Sequence, residues 1–369
     1  MPSMHATFRR LLPAPWFGAL VAAAALGAGF AQAQPAAERP APRPPPVPTG
    51  LVVGSGNFFS PIVDDLDAAV EFYRAIGFEF EGESANADAN PQLRAMFGLP
   101  NARLRWQIGR SPPIQGGVEI IEITAAGGRP VERRIEDPGT VMLMVAVRDV
   151  DATLARVKAL GAPVVTRAGA PVPLMVPPLR IVVVQDPAGN FVELMEPRTM
   201  PARAPATANV VGVRVRHTVQ DLESALALYR DALGLQGINA IQNTRRIPPY
   251  AANQAVLGAL GLGPDMIYRY AELVVPGSGL VLELIEFKNM RRHAERARLQ
   301  DPGATRIQLR VSDIEAAAAA LIEAGGTFVS TGGAPLDLPA GNSTLKVGIV
   351  RDPDDLFLVL IQAPPVPAP

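Results

Sequence analysis

Three histidines and no cysteine in 369 residues limit the chemistry this chain can do. Without cysteine there is no thiolate nucleophile, no thiolate metal ligand and no disulfide. No Gly-x-Ser-x-Gly turn, no phosphate-loop pattern and no histidine placed to activate a serine occurs. Carboxylates and guanidinium groups remain. Glutamates stand inside apolar β-type runs, in Gly117-Val-Glu-Ile-Ile-Glu-Ile123, Asn190-Phe-Val-Glu-Leu-Met-Glu196 and Leu280-Val-Leu-Glu-Leu-Ile-Glu-Phe287. Two carboxylates facing one apolar pocket disfavour joint ionisation, which raises at least one pKa and makes an acid/base pair.

The elements that must position these groups are written four times. Val63-Asp-Asp-Leu-Asp-Ala-Ala69, Val147-Arg-Asp-Val-Asp-Ala-Thr153, Val219-Gln-Asp-Leu-Glu-Ser-Ala225 and Val311-Ser-Asp-Ile-Glu-Ala-Ala317 each read as a strand end entering a helix. Asp65, Asp149, Asp221 and Asp313 can accept from free first-turn amides, and the acid two residues on suits the helix dipole. Apolar residues follow at helical spacing, such as Leu66, Ala69, Val70, Tyr73 and Ile76. Each helix is predicted to end at a glycine, Gly77, Gly161, Gly234 or Gly325, at 12, 12, 13 and 12 residues from its aspartate. Short strands then close each unit, so the chain reads as four βαβββ modules of an α+β fold.

Asp137-Pro-Gly and Asp301-Pro-Gly introduce modules two and four, while Asp186-Pro and Asp352-Pro precede their last strands. Residues 51–197 and 209–363 therefore read as a tandem duplication of two domains, joined by a Pro/Ala linker at 198–208 and followed by a tail at 364–369. Arg9 and Arg10 before an apolar run from Trp16 to Phe30, then Ala31-Gln32-Ala33, predict a cleaved signal peptide over 1–33. Residues 34–50 read as a Pro-rich extended spacer. Export without cysteine suits a bacterial periplasm or secretion. A net charge of −1 with no basic stripe argues against nucleic acid. No membrane partner is expected once the signal is removed, and a homo-oligomer stays open.

Valine-x-Asp-Leu running into Phe72-Tyr73-Arg74, then Ile76-Gly77-Phe78, and later Asp-Pro-x-Gly-Asn-Phe-Val-Glu-Leu resemble the vicinal oxygen chelate superfamily. That group includes glyoxalase I, extradiol dioxygenases, fosfomycin-resistance transferases and bleomycin-binding proteins. The resemblance covers nearly all of 51–363 and implies paired modules whose curved mixed sheets enclose a small-molecule pocket. It also implies where a divalent metal would be held: seven residues before each capping aspartate, and at the central position of each closing strand. Those positions here are Phe58, Met142, Glu119 and Glu193 in the first half, and Arg214, Arg306, Glu283 and Val359 in the second.

Both opening-strand ligands of the first half are lost, so Glu119 and Glu193 are the only metal candidates and the residues expected to be catalytic. They would either hold a divalent cation for glyoxalase-type lyase or isomerase chemistry, act as a metal-free pair, or be satisfied by water and by Arg103 or Arg105. Phe58, Met142, Arg214, Arg306 and Glu283 are the expected ligand-binding residues. Arg214 and Arg306 beside Glu283 would suit a ligand carboxylate or enolate, or form an internal Arg-Glu-Arg network. His217, an odd number of residues from Arg214, should face away from the pocket, and His293 lies between modules. Extradiol dioxygenase chemistry is disfavoured, because a two-His-one-carboxylate site cannot be assembled. The expected function is binding or transformation of a small organic metabolite, or its sequestration without turnover. Two module pairings stay open: one with two and three with four, or one with four and two with three. A lid is read at 247–262.

Overall fold

The computed structural model describes residues 50–363 apart from 87–89, 113, 176–177, 202–203, 239–245 and 294. The expected signal peptide, most of the spacer and the tail lie outside the described residues. All four capping aspartates accept as their spacing implies, from the amides of Ala68, Ala152, Ser224 and Ala316 at 2.8–3.0 Å. The four glycines close the helices with φ of 123, 85, 84 and 99°, the left-handed region where a side chain is strained.

A second cap comes from the closing strands. Glu122, Glu196, Glu286 and Gln362 accept from the first helical amides, Leu66, Val150, Leu222 and Ile314, at 2.9–3.3 Å. Each stands three residues after Glu119, Glu193, Glu283 or Val359. Odd spacing in a strand sends the two side chains to opposite faces, one to the helix and one to the concave side.

Three helices are regular, Leu66–Ile76, Val150–Ala159 and Ile314–Glu323. The third in chain order differs: Leu222–Leu226 is α-helical, and Ala227–Ala232 continues as a π-turn. The spacing of 13 rather than 12 residues accounts for this, since a π-turn is how a helix absorbs one extra residue.

The modules pair crosswise. In one sheet the opening strand of module one, Ser60–Val63, lies antiparallel to that of module four, Thr305–Val311. In the other, Val141–Val147 of module two runs antiparallel to Val210–Thr218 of module three through seven partner pairs. Each opening strand is flanked on its other side by its own closing strand, in parallel: Val118–Thr124, Phe357–Gln362, Phe191–Pro197 and Val281–Lys288. The result is a mixed eleven-stranded sheet from modules one and four and a mixed eight-stranded sheet from modules two and three. Neither sheet is confined to 51–197 or to 209–363.

The helices and the helix-facing side of both sheets share one apolar core, including Leu66, Tyr73, Leu143, Val145, Val215, Leu226 and Leu309. Two separate clusters fill the opposite faces, one per sheet. The two sheets are also latched by polar contacts of the same kind. Tyr73 of module one donates to Asp186 of module two at 2.9 Å, and Tyr229 of module three donates to Asp352 of module four at 2.6 Å. Burial pushes Asp186 up to about 6. The two Asp-Pro turns seen in the sequence are thus inter-sheet latches.

Candidate functional site

The concave face of the eight-stranded sheet holds a cavity of ≈ 60 Å³. A water needs about 10–15 Å³ by this measure, so there is room for roughly four to six. Alternation along each strand decides what lines it. Met144 of the module-two opening strand and Arg214 and Arg216 of the module-three opening strand point in, as do Glu193 and Met195 of one closing strand and Glu283 and Ile285 of the other. Tyr268, Tyr270 and Glu272 come from Ile267–Val274, the strand beside Val281–Lys288, where Glu272 lies opposite Glu283.

Arg216 sits at the centre. Its Nε donates to Glu283 at 2.5 Å and its Nη1 to Glu193 at 2.9 Å, with the Met142 sulfur 3.6 Å away. Arg214 is paired with Glu272. Glu193 is 2% exposed, and burial raises its pKa, with the Glu283 charge adding to the rise and Arg216 opposing it. Burial would lower the Arg216 guanidinium, but the charges of Glu193 and Glu283 outweigh it and keep it firmly cationic.

The segment read as a lid borders the cavity through one residue. Gln254–Ala259 forms a short helix whose Val256 lines the cavity. Thr166 donates to the Ala259 carbonyl at 2.6 Å and Arg167 to the Leu262 carbonyl at 2.5 Å, which anchors this segment to module two.

On the eleven-stranded sheet the equivalent glutamate, Glu119, is held by three donors. Glu119 Oε2 accepts from Ser60 at 3.1 Å, Arg306 at 3.0 Å and Gln308 at 2.9 Å. Arg306 is 1% exposed, lies 4.5 Å over the Phe97 ring, and burial lowers its pKa against the opposing charge of Glu119. Val359 joins the apolar cluster around it.

Several expectations change. Glu119 and Glu193 belong to different sheets and cannot act as one pair or one metal site, because the crosswise pairing separates modules one and two. Arg214 and Arg306 are separated for the same reason. Phe58 leaves the concave face and packs on Phe78 in the helix-side core, ring centroids 6.4 Å apart. Arg105 pairs outward with Asp67 and Glu122 rather than with Glu119. Met142, Glu193, Arg214 and Glu283 do come together, as the second pairing implies. His217 faces away, 3.2 Å from Asp352, and His293 is exposed. Arg216, Glu272, Tyr268, Tyr270 and Gln308 went unread. Arg216 was open to inference, since it shares a strand face with Arg214 by the two-residue period.

A divalent metal does not fit this donor set. Among the described residues no group of three or more His, Asp or Glu side chains is placed to share a cation. The two carboxylates nearest to such a role already clasp a guanidinium, which an incoming metal would have to displace.

Residues 57–194 match the Glyoxalase/Bleomycin resistance protein/Dioxygenase superfamily. That stretch holds modules one and two, which stand in different sheets. No curated protein matches the chain. Among solved structures, two point variants of glyoxalase I from Zea mays share the fold. One is 18% identical with a TM-score of 0.51, covering 83% of this chain and 92% of its own. The other is 19% identical with a TM-score of 0.50, covering 84% and 94%.

Proposed function

Taking the fold of the Glyoxalase/Bleomycin resistance protein/Dioxygenase superfamily as premise, we propose that the protein binds a small organic molecule in the cavity between modules two and three, with no metal at its centre. The observation that carries this reading is Arg216 between Glu193 and Glu283, a fixed organic cation where relatives of the chelating kind present ligands to a metal ion. The guanidinium already claims one oxygen of each carboxylate, so a metal entering between them would have to displace it.

The test is metal analysis of the purified mature protein, with thermal unfolding in EDTA and in Mn²⁺, Ni²⁺ or Zn²⁺. A metal at 100 times its Kd would add ~2.7 kcal/mol of stability. No stoichiometric metal and a flat unfolding response are expected. A bound equivalent that EDTA removes with loss of stability would overturn the proposal.

Glu193 favours a second reading, proton transfer to or from a bound carbonyl compound. Its raised pKa brings a carboxyl group closer to the range useful for acid/base work. Turnover abolished by Glu193→Gln but retained in EDTA is the outcome this reading requires. Delivery to the periplasm or beyond is also proposed, on Arg9, Arg10, the apolar run and Ala31-Gln32-Ala33. A mature amino terminus at Gln34 is expected from sequencing of the exported protein.

A further inference from the structure

Every charged side chain lining the cavity already has an opposite charge beside it. Arg214 is paired with Glu272, and Arg216 holds both Glu193 and Glu283. Among the described lining residues three carboxylates face two guanidinium groups, so an anion would enter an excess of negative charge. A cation would have to compete with Arg216, which makes two charge-assisted bonds at no cost of association.

One polar atom is different. Tyr268 is 1% exposed, with its ring centroid 6.3 Å from Tyr270 and 6.2 Å from Phe287, and it lines the cavity. Among the described residues its hydroxyl has no hydrogen-bond partner. Buried hydroxyls in native proteins are almost always paired, since an unpaired one costs about 1–3 kcal/mol. Burial pushes this phenol up to about 12, so it remains a donor at any physiological pH. The wall around it is apolar, with Met144, Leu179, Ile181, Met195, Val256 and Ile285.

Resting on the pocket reading above, we infer that the occupant is an uncharged lipophilic molecule whose hydrogen-bond acceptor, a carbonyl, ether or hydroxyl oxygen, takes the Tyr268 hydroxyl. The charges of the cavity then serve to hold one another and to exclude ions, while shape and a single donor select the ligand.

Four probes of similar size separate the alternatives: acetophenone, benzoate, benzylamine and toluene, titrated by ligand-observed NMR against the full mature protein. Tyr268→Phe keeps the ring and removes only the unpartnered oxygen, and Val256→Trp fills the cavity. Acetophenone is expected to bind wild type about tenfold tighter than benzoate or benzylamine. Tyr268→Phe should weaken acetophenone by about tenfold, the scale of one buried hydrogen bond, and leave toluene unchanged. Val256→Trp should abolish both. Preference for benzoate or benzylamine, or acetophenone binding indifferent to Tyr268→Phe, overturns the inference while leaving a cavity that binds. If no probe binds wild type, or Val256→Trp changes nothing, the pocket reading itself fails. Selectivity among the four probes on wild type needs no variant and stands as an independent readout.

Discussion

At the residue scale the decisive group is Arg216, and its energetics are those of a buried ion cluster. Removing one member leaves an uncompensated charge, whereas replacing all of them with apolar groups of similar size is often neutral or stabilising. Arg216→Met is therefore expected to cost about 3–5 kcal/mol in urea unfolding. The triple change Glu193→Leu, Arg216→Met and Glu283→Leu should be far less damaging than the single one; a triple variant less stable than Arg216→Met would show that the cluster stabilises the fold outright. The sequence made Glu193 and Glu283 legible, because a carboxylate in an apolar strand is conspicuous. It hid their partner, because counting seven back from Asp221 lands on Arg214, and the choice between two guanidinium groups on one strand face depends on side-chain reach. Phe58 was misread because the short Ser60–Val63 strand begins two residues later, so the alternation does not extend back to it.

At the scale of elements, each helix start is held by two acceptors, its own capping aspartate and a Glu or Gln of the closing strand of its module, and the spacing around the aspartate made the first of these legible. Asp149→Ala is expected to lower stability by about 1 kcal/mol, the usual worth of an N-cap. Glu196→Ala should do the same and add to it, which urea titration of the single and double variants would measure. Gly161→Ala meets no neighbouring atom within 4 Å, so its expected loss of about 1 kcal/mol comes from backbone conformation alone. The π-turn at Ala227–Ala232 was visible only as one surplus residue. Its consequence, Tyr229 set against Asp352, needed the fourth module in place.

At the scale of the whole molecule the module pairing was the least legible feature. The Val- and Met-rich opening strand of module two would form an apolar seam with the opening strand of either neighbour, and only three-dimensional closure selects one. Because each sheet draws on both halves of the chain, 51–197 expressed alone is expected to be unfolded or to self-associate, and to gain native circular dichroism only when mixed with 209–363. A monomeric, cooperatively unfolding 51–197 would contradict the crosswise sheets. The latch at Asp352 predicts a pH effect. Burial alone would lower the His217 pKa, but Asp352 outweighs it and the net shift is upward. A raised folded-state pKa gives stability that is full below about 6.5 and lost as pH rises through the folded value. Wild type should thus lose more stability than His217→Gln as pH is raised above about 6.5, read from unfolding midpoints. The register that joins Asn57 to Gln308, 251 residues apart, also sets an order of assembly. The inner pair of modules can zip together as soon as module three emerges, whereas the outer strands must wait, like an opening parenthesis, until Thr305–Val311 has been made. Closing so long a loop late makes for slow folding and a prolonged window of exposed strand edges. Were the chain exported as proposed, that delay would be an advantage, because the leading segment cannot commit to its native partner before the trailing one has arrived.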